Sequence, residues 1–264
     1  MAIALALGTL AIFLAVAMAG AWLIVDRSGR SGWADTTWSL AVGVGGVAAA
    51  LAPISTGTTA RQLVVAALVA VWSLRLSGHI AARTRSGGED PRYQALKEEW
   101  GQDRRKQLFW FLQIQAAAAF LLVVTILVAA HNPAPWPQAG DIIGMVIAVA
   151  AVLGETVADR QLARFRENPA NQGKVCDVGL WGQSRHPNYF FEWLGWVAYA
   201  VIAIDIAGGY PWGWLALAGP IFVYWLLVHV SGIPPLEAHM LRSRGDAFRA
   251  YQARVSAFWP LPGR

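Results

Sequence analysis

The sequence predicts an all-α, polytopic membrane protein of about seven transmembrane helices, with a cytoplasmic C-terminal amphipathic helix. Three observations carry that reading. Of 264 residues, 56% are hydrophobic and only 14% charged, where an average soluble domain is about 25% charged. Apolar runs approaching bilayer thickness recur along the whole chain. The basic residues, finally, are confined to alternate connections between those runs.

The first run, 2–25, carries no charge. Ala17-Met18-Ala19 resembles a signal-peptidase site, but no basic residue precedes the apolar part and the run is long for a signal. It is expected to remain as a first helix. Runs 37–53, 62–80, 108–130, 142–158, 189–207 and 211–230 supply six more spans. The second is short and rich in Gly and Ala, which predicts close packing against its neighbours. No repeat and no long linker interrupts the chain, so 1–264 reads as a single integral-membrane domain. Its cytoplasmic loops would be 81–107 and 159–187, and its tail 231–264.

Of 21 basic residues, Arg27 and Arg30 follow the first run, seven lie from Arg83 to Lys106, five from Arg160 to Arg185 and five beyond Val230. The connections 54–60, 131–141 and 208–210 contain none; Arg61 and Arg75 border or enter the third run. Lys and Arg collect on the cytoplasmic side. The pattern therefore predicts an integral membrane protein with its N-terminus outside and its C-terminus in the cytoplasm. Trp136, Tyr210, Trp212 and Trp214 suit an aromatic belt at the outer interface.

Several chemistries are excluded or left unsupported. One cysteine, Cys176, permits no intramolecular disulfide and no cysteine-based cluster. Five scattered histidines show no ligand spacing, so no metal is expected. No GxGxxG or P-loop marks a separate nucleotide domain. Nothing points to nucleic acid; the expected partners are membrane lipids and a lipophilic small molecule. Gln113 and Gln115 are read as interhelical hydrogen bonds, and Asp205 and His229 as helix-end residues.

The polar segments carry the functional signal. In "GLWGQSRHPNYFFEW", Pro187 starts a helix whose first-turn N–H groups follow Arg185 and His186, a setting suited to an anion. Asn188 and Glu192 are one turn apart, beside Tyr189, and a carboxylate at that depth needs a partner or a wet cavity. "GETVADRQLARFREN" carries Glu155, Asp159 and Arg166 near one helical stripe, with Lys174 after it. "RTRSGGEDPRY" holds Arg83 and Arg85, and the tail carries Glu237 after Pro234-Pro235. Together these basic groups suit a phosphorylated polyanion of nucleotide type.

The combination of "WSLRLSGHIAARTRSGGEDPRY", "ETVADRQLARFRENPANQGKVCDVGLWGQSRHPNYFFEW" and the Pro-Pro tail resembles the bacterial branch of the steroid 5-alpha-reductase superfamily. The RHPxY core is also similar to that of isoprenylcysteine carboxyl methyltransferases. The reductase resemblance spans roughly 35–260 and implies a seven-helix bundle that binds NADPH and reduces an activated C=C bond in a steroid- or isoprenoid-like lipid. It implies cofactor contacts at Asp159, Arg166, Lys174 and Asn188, with Glu192 following. It implies further contacts at Arg83 and Arg85 and at Arg75 inside the third run. Arg185, His186, Tyr189 and Glu237 join that set from the segments above.

One departure matters. The steroid-reducing members activate the substrate carbonyl with a Glu in the second helix and a Tyr in the third. Here the second run has no Glu or Gln and the third has no Tyr. The nearest ionisable groups are Asp35 and His79, which become the catalytic candidates, although a helix-start charge and an interfacial contact account for them equally well.

Two rivals stay open. An S-adenosylmethionine-dependent lipid methyltransferase needs fewer arginines and tends to show paired glutamates where this tail has Glu237 alone. A transporter or scaffold predicts polar groups strung across the bilayer, whereas Arg75, Glu155, Asn188 and Glu192 gather toward one side.

Overall fold

The computed structural model describes residues 2–54, 59–87 and 91–261. Residues 55–58 of the expected outer connection, 88–90 of the RTRSGGEDPRY loop and 262–264 of the tail lie outside the described residues.

Among the described residues the regular elements are helical. In chain order they are α1 (Ala2–Ser28), α2 (Gly32–Leu51), α3 (Thr59–Arg85), α4 (Pro91–Trp100), α5 (Arg104–Ala130), α6 (Ala139–Glu167), α7 (Pro187–Ala203), α8 (Ala218–Trp225) and α9 (Ile233–Arg254). An apolar medium leaves no water for the backbone, so long apolar runs satisfy their N–H and C=O groups within a helix. Among the described residues five stretches are long and apolar enough to cross a membrane: Ile3–Ser28, Ala60–Arg85, Gly101–Ala130, Ala139–Glu167 and Pro211–Arg254. The chain thus has the helices of an integral membrane protein.

Two of the seven expected spans fall short of that description. α7 has 17 residues. α2 dilutes its Val, Ala and Leu with Asp, Ser, Thr and glycine. Elsewhere the helices outrun the apolar runs at their charged ends, α3 to Arg85 and α6 to Glu167. Near the C-terminus the break falls earlier than the sequence suggests. A π turn over Leu226–Val230 ends α8, the chain turns at Ser231 and Gly232, and the two prolines sit in the first turn of α9. A first-turn proline lacks only an N–H that would have no helical partner anyway. α9 itself kinks at Gly245, where φ is +51°.

The described residues gather into two compact units. The first is Met1–Gly144 with Tyr199–Gly219; the second is Met145–Ala198 with Pro220–Arg264.

In the first unit α2 packs against α1, α3 and α5. The close approach predicted from its glycines is present. A Cβ on Gly43 would overlap the Ser73 side chain of α3, whose hydroxyl donates to Ser39 O at 2.8 Å. The same unit contains a fully buried ion pair. Arg61 donates through Nε to Asp141 Oδ1 at 2.8 Å and through Nη2 to Oδ2 at 2.7 Å. Its other N–H groups reach Asn132 O, Ala134 O at 2.8 Å and Pro135 O at 3.4 Å. One arginine therefore ties the start of α3 to α6 and to the connection after α5. Asn132 extends the tie by donating to Ile202 O at 3.0 Å and Ala203 O at 3.2 Å.

In the second unit, α6 and α7 approach at Gly154, where a Cβ would enter the Phe191 ring. Phe248, Tyr251 and Val255 of α9 and its exit form a small core with Val175, Met240 and Leu241.

Removing one member of a buried pair strands the other charge, which costs about 3–5 kcal/mol. Arg61→Met and Asp141→Leu are each expected to lower the thermal unfolding midpoint in detergent strongly. The double variant should lose clearly less than the sum, and additive losses would show that the two side chains act independently.

Candidate functional site

The segment from Gly179 to Trp193 is held from three directions within the second unit. A single turn, Gly179–Gly182, opens with Gly179 at φ +61° against the Gln161 side chain, whose Oε1 accepts from Leu180 N at 2.9 Å. The Trp181 indole donates to Ala158 O of α6 at 2.9 Å. Tyr251 of α9 donates its hydroxyl to Trp181 O. Then Pro187 starts α7, as its fixed φ favours.

Arg185 and His186 precede that start, and the structure directs both inward to the tail. Arg185 donates through Nε to Glu237 Oε1 at 2.7 Å and through Nη2 to Oε2 at 3.2 Å. Its Nη1 also reaches Gln252 O at 3.3 Å and Val255 O at 2.5 Å, and its backbone N–H donates to Ser256 O at 2.8 Å. His186 Nε2 lies 3.0 Å from Glu237 Oε1, and Gln252 Nε2 donates to Oε2 at 2.7 Å. Ser184 Oγ accepts from His186 N at 3.1 Å and donates to Phe258 O at 2.9 Å. Glu237 therefore accepts from three side chains, and this knot clamps α9 and the segment after it onto the start of α7.

Burial holds the His186 imidazole below the usual histidine range, with the hydrogen bond and charge of Glu237 opposing it. The ring is neutral at neutral pH, with Nε2–H donating to Glu237. Cys176 is buried and its thiol is pushed up by that burial, which keeps it protonated and unreactive.

The other expected cofactor residues of this unit are less enclosed. Asp159 is half-buried on α6, and Arg166 and Lys174 are exposed at and beyond its end. Asn188, Tyr189 and Glu192 are half-buried on α7. The His186 and Tyr189 rings stack at 5.4 Å with a 10° tilt, and Glu192 Oε1 accepts from Trp196 Nε1 at 2.9 Å.

The remaining expected residues belong to the first unit. Arg75 is half-buried in α3, with Nε and Nη2 inside the protein. Arg83 and Arg85 are exposed near the end of α3, and Arg85 lies 5.8 Å from the Trp33 ring. His79 is exposed on α3. Asp35, in the first turn of α2, accepts from the Tyr93 hydroxyl at 2.8 Å. Gln115 Nε2 lies 3.2 Å from that hydroxyl oxygen, and Trp38 donates to Gln115 O at 3.0 Å. Tyr93 is only 3% exposed and sits edge-on to Phe111 at 5.9 Å.

Tyr93 is the residue that sequence reasoning missed. It stands at the end of RTRSGGEDPRY, outside every apolar run, so nothing local assigns it to the interior. Folding α4 beside α5 delivers a phenol to the carboxylate of Asp35. A phenol on a carboxylate can hold a proton and pass it on. By contrast, Gln115 and Gln113 make the interhelical hydrogen bonds expected of them, the latter to Ala15 O at 3.4 Å. Asp205 caps the turn after α7 through Ala207 N and Gly209 N. Among the described residues no cluster of His, Cys, Asp and Glu is arranged to hold a metal ion.

One protein-family model matches residues 21–255, which takes in every expected site residue from Asp35 to Glu237. The chain belongs to that family, described as Protein of unknown function (DUF1295). No curated protein and no solved structure matches the chain.

Two outcomes test the clamp. Glu237→Gln removes the charge that Arg185 pairs with, and should raise protease and hydrogen-exchange susceptibility of 233–261 at least tenfold while α6 stays protected. Because the folded chain holds His186 below its ordinary value, the unfolded chain takes up its proton first as pH falls through about 6.5. Stability should therefore drop from pH 7 toward pH 5, and His186→Asn should flatten that slope in thermal unfolding scans.

Proposed function

We propose that this chain is a membrane-embedded, NADPH-dependent reductase of an activated C=C bond in a lipophilic substrate. In this reading the chain crosses the membrane seven times, with α2 and α7 as inner spans, and its C-terminus lies in the cytoplasm. The resemblance to the steroid 5-alpha-reductase superfamily agrees with it.

The observation that carries the proposal is the hydrogen bond from Tyr93 to Asp35. Reducing an enone at its β carbon pushes an electron pair onto the carbonyl oxygen, so the protein must supply a proton there. Gln115 lies eleven residues into α5 from Arg104, about 16 Å of helix. The acid pair beside it is therefore well inside the helical part of its unit, suited to an apolar substrate. In the resting pair the phenol donates to the carboxylate. When Asp35 takes up one proton from water the bond reverses. Asp35 then donates to Tyr93 Oη, and Tyr93 Oη–H is free to protonate the substrate oxygen. In this reading Asp35 and Tyr93 form the acid pair, and His79, exposed on α3, is left out of it.

The donor set of the second unit fits a phosphorylated dinucleotide. Exposed Arg166 and Lys174 suit phosphates, half-buried Asp159 and Glu192 suit ribose hydroxyls, and Asn188 and Tyr189 offer neutral hydrogen bonds beside them. NADPH, when bound, would supply the hydride. Arg185, His186 and Glu237 act as positioning residues, since their clamp fixes the start of α7 on which Asn188 and Glu192 ride.

The test titrates purified protein in detergent with NADPH, NADH and S-adenosylmethionine, then follows NADPH oxidation across a panel of lipophilic enones. Arg166→Ala and Asn188→Ala should each weaken NADPH binding about tenfold or more. Tyr93→Phe and Asp35→Asn should bind NADPH normally yet lower turnover about 10²–10⁴-fold. Binding of S-adenosylmethionine that is lost in Arg166→Ala, with no response to NADPH, would overturn the reading in favour of a methyltransferase.

A further inference from the structure

The end of α1 and the start of α5 meet in a feature that the reductase reading does not use. The Trp22 indole donates to Arg105 O at 3.0 Å, and the Arg105 guanidinium returns over the same ring, 5.0 Å from its centroid. Asp26 holds the guanidinium from one side at 3.3 Å. Phe109 supports the indole edge-on at 5.6 Å, and Trp110 stands beside Phe109 at 5.5 Å. These contacts hold Arg105 in place, yet its side chain remains 64% exposed.

Around it the surface is basic. Arg27 and Arg30 at the end of α1, and Arg104 and Lys106 flanking Arg105, are all exposed. Lys97 of α4 joins them, with its Nζ donating to Gly29 O at 3.2 Å. Among the described side chains the carboxylates here are Asp26, already paired, and exposed Asp103 and Glu99. Among those described side chains, six cations thus outnumber three acids at the level where two apolar helices end.

The level decides the partner. Trp110 is 57% exposed one turn along α5 from the cations and Trp22 is half-buried, so indole rings border the patch. Indoles at the end of an apolar helix sit at the headgroup region. Lys and Arg clusters beside a membrane-crossing helix attract anionic headgroups. Arg105 adds geometry to charge. Its guanidinium carbon sits 5.0 Å from the Trp22 ring centroid while the side chain stays exposed, and a guanidinium held in this way suits a phosphate.

We propose that the α1–α5 junction is a binding site for an anionic glycerophospholipid, with Arg105 on the headgroup phosphate and Arg27, Arg30, Arg104, Lys97 and Lys106 around it. The site is independent of the acid pair and of the dinucleotide donor set.

The test uses delipidated protein in detergent and native mass spectrometry. Dioleoylphosphatidylglycerol, dioleoylphosphatidylcholine and inorganic phosphate are added in separate arms. The wild-type chain should retain phosphatidylglycerol in preference to the zwitterionic lipid and should not retain free phosphate. Each cation near a membrane surface contributes about fivefold in affinity. Arg105→Gln should therefore weaken retention about fivefold, and Arg104→Gln with Arg105→Gln and Lys106→Gln about a hundredfold. Arg249→Gln, an exposed arginine on α9, should retain the lipid as wild type does. Circular dichroism melting of each variant checks that the fold persists, and Trp22→Phe, which removes the indole N–H, should also weaken retention. Equal retention of both lipids, or full retention by the triple variant, would overturn the proposal.

Discussion

An apolar surrounding obliges every buried polar group to find its partner inside the protein, and this constraint organises both units. Arg61 shows its strongest form. The guanidinium has no exposure, and its N–H groups are answered by a carboxylate and by carbonyls of one connection. That set of bonds converts a stretch with no regular structure of its own into a fixed link between α3 and α6. The Arg185–Glu237 clamp does the same for the segment before α7, at about a tenth exposure rather than none. Neither pair is a large net gain over apolar packing. Each instead makes alternative arrangements expensive, because any displacement leaves a charge without an answer.

This sorts the charged residues by role. Cations answered inside the fold, Arg61 and Arg185, determine where helices begin. Cations at the surface, such as Arg104 and Lys106, stay in contact with water. Composition treats the two classes alike, as twenty-one basic residues with a side preference. Their difference is one of burial. Cys176 illustrates the same division among nucleophiles, since its burial removes the reactivity that a lone thiol suggests on paper.

Much of the fold was legible in the chain. Uninterrupted apolar runs made α1, α3, α5 and α6 predictable, and charged extensions such as GETVADRQLARFREN continued their helices without a break. The glycines of α2 announced tight packing, and Gly43 against Ser73 shows it. The tail was less legible. Pro234-Pro235 reads as a break, but tolerance of proline in a first turn moved the break to the π turn and Gly232. At the candidate site, the individual residues were readable and their pairings were not. Glu237 and Arg185 are separated by 52 positions, and Asp35 and Tyr93 by 58.

By itself the sequence determined the medium, the helical class and the segregation of charge, because hydropathy and periodicity are properties of neighbouring residues. Only the tertiary structure decided which polar groups answer one another. Hydrogen bonding depends on distances of about 3 Å between atoms whose separation along the chain carries no information. That is why Tyr93, which no apolar run assigns to the interior, became the partner of Asp35, and why Arg185, expected to greet an anion, holds the tail of its own chain.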